Sequence, residues 1–590
     1  MKKAITRMFT SLGAMVALAL VLGFTVRFMR AGHVDAHTVL EIDFDQPLVE
    51  YVPDDPVAGV LQGRMAQVHD VLEALERGAT DDRVVALVAR VGAAPMGLAR
   101  IQELRDAVIA FRASGKPAIA YSLSFGEFSA GNGSYYLATA FDEIYLQPSG
   151  DVGLTGLIVE SPFLRGALDK LGVVPRMDHR REYKNAMNIF TEKGFTPAHR
   201  EAATRVMDSQ FGQIVRGIAA ARAISEDRLR ALIDGGPLSA EQALEAKLLD
   251  GLAYRDEAWT KLEEKLGEEP VRLSALRYLQ RVRPRHGDGE KIALIYGVGG
   301  VRRGDSALDP VTGEQSMGAD SVTAALRAAI DDDDVRAILF RVDSPGGSYV
   351  ASDTIWREVV RARAAGKPVV VSMADVAGSG GYFVAIPADK IVAQPGTITG
   401  SIGVLGGKMV TEAMWEKIGV NWEEVHTSTN GTMWTTSTDY TPAEWERFQA
   451  SLDRIYRDFT TKVSEGRKLP MDKVLEIARG RIWTGEDALG IGLVDALGGF
   501  PTALALAKEA AGIPAGDPVH LETFPPAKSL LQTVAARFVG TPDSEEYDAP
   551  VTIALRRMMD VTGPLANVAR QVGLLAQPGV LTMGFETGQP

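Results

Sequence analysis

The chain has 590 residues, a formal net charge of −13 and no cysteine. That length exceeds what one ordinary hydrophobic core accommodates, so two or more domains are expected, and 46% hydrophobic with 24% charged residues indicates globular rather than disordered structure. The acidic balance excludes a general nucleic-acid binder, which needs basic patches, and the missing cysteines exclude disulfides, thiolate catalysis and thiolate-ligated metal.

At the amino terminus, "MKKAITRMFTSLGAMVALALVLGFTVRFMR" opens with Lys2, Lys3 and Arg7 and then carries no charge from Met8 to Val26. Those 19 residues, as a helix rising about 28 Å, are long enough to cross the hydrocarbon layer. The run ends in Arg27 and Arg30, with small-residue cleavage candidates only beyond them, which favours an uncleaved anchor over a removed signal peptide. Positive charge is denser before the span, so residues 1–30 read as a cytoplasmic stub and single-pass anchor in the inner membrane. The remaining chain is expected on the periplasmic side, with membrane lipid contacted through this helix.

Beyond the anchor the chain repeats itself. "DDRVVALVARV" (81–91) resembles "DDDVRAILFRV" (332–342), and "AFRASGKPAIAYS" (110–122) resembles "ARAAGKPVVVSM" (362–373). At an offset of 247 residues, "AGNGSYYLATAFDEIYLQPSGDVGLTG" (130–156) lies over "AGSGGYFVAIPADKIVAQPGTITGSIG" (377–403) without a gap, with eleven of twenty-seven positions identical. "LDKLGV" then matches "WEKIGV", "FTPAHR" matches "YTPAEW" and "ALEAKLLDGL" matches "ALGIGLVDAL". A repeat this long is a duplicated domain rather than a solenoid. The first copy spans 36–280 and the second 288–520, with the polar, breaker-rich "RVRPRHGDGEK" between them.

Within the second copy, "IALIYGV", "VRAILFRV" and "KPVVVSM" read as buried strands. They alternate with the amphipathic "ADSVTAALRAAI" and "ASDTIWREVVRARAAG". Strands alternating with helices predict an α/β fold in each copy. Residues 521–590 have no counterpart in the first copy and read as a carboxy-terminal extension containing a helix-like "VTIALRRMMDVTG".

The differences between the copies carry the chemistry. "DSPGG" (343–347) faces "GAAPM" (92–96), Ser379 lies over Asn132, and Lys184 lies over Gly431. The second copy therefore holds a glycine turn, Ser379 and Ser401, while the first holds a lysine that its partner lacks. These residue types suit acyl transfer. A serine hydroxyl needs a base, and a desolvated lysine with a lowered pKa can serve. Arg180 and Arg181 would push that pKa down further if near in space. Backbone N–H groups of Gly346, Gly347 and Gly380 are candidates for an oxyanion hole, because glycine lets the backbone approach closely.

"DSPGG", "GSGGYF", "TGSIGV" and "REYKNAMNIF", set behind an amino-terminal anchor, resemble the long form of the signal peptide peptidase A family. These are serine–lysine peptidases of the ClpP/crotonase-like superfamily. The resemblance implies tandem ClpP/crotonase-like domains, with Ser379 as nucleophile, Lys184 as general base, Ser401 orienting the lysine and Gly346 contributing to the oxyanion hole. It also implies a homotetramer that cleaves remnant signal peptides and other hydrophobic peptides in or near the membrane. No cofactor or metal is implied. The long carboxy-terminal tail departs from the family pattern.

Ser344 is a rival nucleophile, although a residue before Pro345 more often shapes a turn. Asp343 reads best as a turn-capping carboxylate. His179 and His426 occupy equivalent positions, which suggests a shared structural role rather than a serine–histidine–aspartate triad. Two other functions fit the same residues: a crotonase-like acyl-CoA enzyme, whose glycine turns would stabilise a thioester enolate, and a non-catalytic scaffold holding membrane peptides.

Overall fold

A computed structural model of the chain describes residues 33–51, 66–92, 96–308 and 314–525. The expected anchor over 1–30 and the extension beyond residue 525 lie outside the described residues. Among the described residues, no helix is long and apolar enough to cross a membrane.

In the first copy, six strands form one sheet. They are β1 (Thr38–Asp43), β2 (Val84–Arg90), β3 (Ala118–Ser122), β4 (Glu143–Leu146), β6 (Gly251–Leu252) and β7 (Val271–Ser274); β5 (Val174–Arg180) lies apart. The order across the sheet is β6-β4-β3-β2-β1-β7, parallel throughout. Parallel sheets are covered on both faces, which is why β3 reads "AIAYS" with all five residues buried instead of alternating. Three helices matter to the site: α1 (Leu98–Arg112), α2 (Asn132–Ala138) and α3 (Pro197–Arg222).

Nine strands of the second copy position the site. They are β8 (Glu290–Val298), β9 (Val335–Ser344), β10 (Val369–Gly378), β11 (Lys390–Ala393), β12 (Ile398–Gly400), β13 (Val404–Val410), β14 (Ile482–Thr484), β15 (Ala496–Leu497) and β16 (Val519–Thr523). Its helices include α4 (Tyr349–Ala364), α5 (Gly380–Ala385) and α6 (Pro442–Arg467). The run β15-β11-β10-β9-β8-β16 reproduces the order of the first sheet strand for strand. The chain is thus a duplicated α/β fold. β10 continues past its counterpart β3, and this extension pairs with β12, which pairs antiparallel with β14. The sequence repeats "FTPAHR" and "YTPAEW" mark the starts of α3 and α6. Thr196 and Thr441 cap those helices by accepting the N–H groups of His199 and Glu444, with proline at the first helical position.

Two features lock the copies together. β5 of the first copy pairs antiparallel with β13 of the second, from Val174↔Val410 to Arg180↔Val404. Deeper, Arg341 of β9 is 2% exposed and donates to Glu103 at 2.6 and 3.1 Å and to Glu50 at 3.0 Å, both carboxylates coming from the first copy. Ser372 on β10 takes a further bond at 2.8 Å.

Candidate active site

Ser379 sits at the junction of β10 and α5. Its φ of 54° is in the left-handed region, which non-glycine residues adopt at a cost of about 1–3 kcal/mol. The neighbours hold it there: its N–H donates to Gly400 O at 2.8 Å, and its carbonyl accepts the Phe383 N–H at 2.8 Å. The side chain is fully buried.

Lys184 follows β5, so the β5–β13 ribbon carries this first-copy residue into the second copy. Its Nζ lies 2.8 Å from Ser379 Oγ, 2.9 Å from Ser401 Oγ and 2.8 Å from Ser401 O. The side chain is 1% exposed, and burial alone pulls the amine down to a pKa of about 7. The two arginines expected to assist face elsewhere. Arg180 is engaged by Asp453 and Gln449, and the Arg181 guanidinium lies over the Tyr456 ring at 5.7 Å.

The "DSPGG" turn at the end of β9 packs against the serine. Gly346 has a φ of 102°, and a Cβ there would come within 2.8 Å of Ser379 Cβ and 2.7 Å of Gly380 N. Its N–H is already donated to Ser344 Oγ at 3.2 Å. The N–H groups of Gly347 and Gly380, by contrast, have no hydrogen-bond partner among the described residues. These two N–H groups lie side by side, since a Cβ built on Gly380 would be 3.1 Å from Gly347 N. Of the three glycines, the free donors beside Ser379 are therefore Gly347 and Gly380. Gly380 begins α5, whose helix dipole adds positive potential at that end.

Ser344 donates to Gly299 O at 2.7 Å, so its hydroxyl is committed to the turn. Asp343 Oδ1 accepts the Val376 N–H at 3.0 Å, which ties the turn to the strand leading into Ser379. Burial, with Asp375 and Glu50 nearby, raises the Asp343 carboxyl to a pKa of about 7. Arg100 of α1 reaches both Asp343 (3.4 Å) and Asp375 (3.3 Å). Among the described residues no histidine is hydrogen-bonded to Ser379. In the first copy, Asn132 takes the place of Ser379 and fastens its own loop, accepting from the N–H groups of Thr155 and Gly156 at 3.2 Å and donating to Gly156 O at 2.7 Å.

Sequence reasoning missed one group of supports. Residues 479–481 clamp both partners of the serine: Tyr183 N–H donates to Arg479 O (3.1 Å), Gly480 N–H to Ile402 O (2.8 Å) and Ser401 N–H to Arg481 O (2.7 Å). The signal was a lone glycine in "ARGRIW", which no motif distinguishes. Arg100 was missed as well, because the partners that tie it to the site, Asp343 and Asp375, lie in the other copy.

An amine titrating near neutrality on a serine hydroxyl, beside two free N–H donors, is the equipment of a serine hydrolase. The model of peptidase family S49 matches this chain twice, over residues 110–268 and 361–514, once in each copy. The chloroplastic serine protease SPPA of Arabidopsis thaliana is 32% identical over 463 residues, covering 77% of this chain and 67% of its own. Protease 4 of Salmonella typhi is 35% identical over 73% of this chain and 69% of its own. Protease 4 of Haemophilus influenzae is 30% identical over 76% and 73%. The chain belongs to peptidase family S49 and is a serine protease. Membership in a peptidase family answers the acyl-CoA and scaffold alternatives.

Proposed function

We propose that the chain cleaves remnant signal peptides and other hydrophobic peptides with Ser379 as nucleophile and Lys184 as general base. It would work as a homotetramer anchored in the inner membrane by residues 1–30, with both copies on the periplasmic side. The observation that carries the dyad is the 2.8 Å approach of a fully buried lysine amine to Ser379 Oγ. The relatives named Protease 4 and SPPA support the peptide substrate.

The chemistry follows from the nitrogen's three contacts. A neutral amine gives its two N–H bonds to Ser401 Oγ and Ser401 O and turns its lone pair to the Ser379 hydroxyl. Ser401 thereby orients the base. As Ser379 Oγ attacks the peptide carbonyl, its proton passes to Nζ, and the oxyanion is met by the N–H groups of Gly347 and Gly380. Gly346 supports that hole through the shape of the turn. The ammonium then protonates the leaving amine, and water attacks the acyl-enzyme with the same base.

The test uses the full chain in detergent micelles with casein as substrate, comparing wild type, Ser379→Ala and Lys184→Ala. Both variants should lose at least about 10³-fold in kcat, in line with removal of members of a catalytic unit. Undiminished cleavage by either variant overturns the dyad.

A further inference from the structure

The two free N–H donors beside Ser379 follow different strands, Gly347 after β9 and Gly380 after β10, so the relative position of these strand ends sets the oxyanion hole. The pairing of β9 with β10 is interrupted just before the site. Rungs run from Ile338↔Val369 to Val342↔Met373 and resume at Ser344↔Ala377, so Asp343 alone stands opposite Ala374, Asp375 and Val376. In the first copy the β2–β3 ladder runs from Leu87↔Ala118 to Arg90↔Tyr121 with its register unbroken. A bulge takes backbone groups out of the ladder, and other partners must then satisfy them. Here side chains do so: Thr397 Oγ1 donates to Ala374 O at 2.8 Å, and Asp343 Oδ1 accepts the Val376 N–H.

The bulge is gripped from the first copy. α1 opens after Gly97, which has no side chain to cap it, and the Arg100 N–H donates instead to Asp375 Oδ1 at 2.9 Å. A Cβ on Gly97 would come within 2.1 Å of the Asp375 carboxyl, so glycine makes room for this borrowed cap. The Arg100 side chain then spreads over both strands. Its Nη2 reaches Asp375 Oδ2 at 3.3 Å and Asp343 Oδ2 at 3.4 Å, its Nε meets Glu50 at 3.2 Å, and its Nη1 donates to Leu48 O at 3.2 Å. The alignment that sets "DDRVVALVARV" over "DDDVRAILFRV" puts Gly97 over Ser348, Arg100 over Ala351 and Gly92 over Asp343. Ser348 caps its own helix α4, accepting the Ala351 N–H at 3.4 Å. Each copy therefore holds one half of the Arg100–Asp343 contact, as each holds one half of the Lys184–Ser379 pair.

We propose that Arg100 is a positioning residue for the oxyanion hole: by tying Asp343 to Asp375 it fixes the bulge of β10, and with it the spacing of the Gly347 and Gly380 N–H groups. This role rests on Ser379 as nucleophile and on those two donors, as read above. Without the guanidinium, Asp343 and Asp375 face each other across the bulge, and their like charges drive the strand ends apart. The nucleophile and base have anchors of their own. Ser379 N–H is held by Gly400 O, and Lys184 Nζ is held by both oxygens of Ser401. The loss on removing Arg100 therefore falls on the donors, which act on the transition state, more than on substrate binding.

In the full chain in detergent micelles, Arg100→Met should lower kcat on casein by about 10²-fold, as for a displaced oxyanion donor, with KM little changed. Arg100→Lys keeps a cation between the carboxylates without the planar fork, and should restore all but about tenfold of the rate. A peptide aldehyde reads the hole directly. Ser379 Oγ bonds to the aldehyde carbon, its proton passes to Lys184, and the former carbonyl oxygen enters the hole as an alkoxide. The corresponding alcohol binds with no adduct. Acetyl-leucyl-leucyl-leucinal should accordingly lose about 10²-fold in affinity for Arg100→Met, while acetyl-leucyl-leucyl-leucinol binds as to wild type. Where Arg100→Met does not fold, Arg100→Lys carries the same comparison, with about a tenfold loss for the aldehyde alone. Unchanged kcat, or equal losses for aldehyde and alcohol as a loosened fold would give, overturns the positioning role. Ser379→Ala separates this from the broader reading. An aldehyde preference that survives in Ser379→Ala removes the nucleophile itself, whereas one that survives in full only in the Arg100 variants removes the role of Arg100 alone.

Discussion

Burial sets the working pH of the proposed base. Among the described residues Lys184 has no carboxylate partner, so desolvation takes its amine to about pKa 7, and the fraction able to accept the Ser379 proton rises as pH increases through 7. Initial rates on casein should climb tenfold per pH unit below pH 7 and level off above it. Asp343 also titrates near 7, so the limb needs assignment. Asp343→Asn should keep a rising limb near pH 7, and losing that limb would move the base assignment away from Lys184. The same shift governs stability. The folded state releases the lysine proton near pH 7 and the unfolded state near its ordinary 10.5, so between these values the unfolded chain binds more protons. Wild-type stability should therefore rise relative to Lys184→Met by about 1.4 kcal/mol per pH unit from pH 7 to 10, measured by urea unfolding. A difference constant in pH would mean that the amine is charged in the folded protein.

At the scale of elements, the loop at 479–481 decides whether lysine and serine meet. Gly480 has a φ of 79°, and a Cβ there would lie 2.5 Å from Lys184 N and 2.6 Å from Lys184 Cβ. Gly480→Ala should displace the lysine backbone and lower kcat by roughly 10²-fold, the scale of a 1 Å misplacement, with KM little changed. An unchanged kcat on casein would show that the clamp does not position the base. This element also marks how far sequence reasoning reaches. The strand and helix alternation was legible because parallel strands are continuously apolar, and the duplication was legible because "AGNGSYY" and "AGSGGYF" share a frame. Ser379, Lys184 and Ser401 stood out as places where the copies differ. Gly480 and Arg100 did not, since their importance lies in contacts with segments far away in the chain, which no local pattern encodes. The free donor at Gly347 and the committed one at Gly346 were likewise undecidable before the Ser344 hydroxyl was placed.

For the whole molecule, a site split between two copies demands that the copies keep one relative position, and the buried Arg341 cluster is built to enforce it. Arg341 stands on β9, the strand that ends in the "DSPGG" turn, and its fork is filled by Glu103 and Glu50 of the first copy. Glu50 also binds Arg100, which reaches on to Asp343 in that same turn. A buried pair contributes little net stability compared with apolar packing, but removing one member strands the other charge, at about 3–5 kcal/mol. Arg341→Met should accordingly destabilise the protein by roughly that amount at pH 7 in urea unfolding. The sign of its pH dependence is opposite to that of Lys184. With the guanidinium gone, Glu50 keeps Arg100 but Glu103 has only burial acting on it, which raises its folded-state pKa further above the unfolded value, so the variant loses stability as pH rises through the carboxylate range and regains it toward pH 5. Replacing all three members together (Arg341→Met, Glu50→Gln, Glu103→Gln) should recover part of the loss, because no unpaired charge remains, yet kcat should stay low if the cluster's task is to hold the copies in register. Full activity in a refolded, stable triple variant would show instead that apolar packing and the β5–β13 ribbon suffice to bring Lys184 to Ser379.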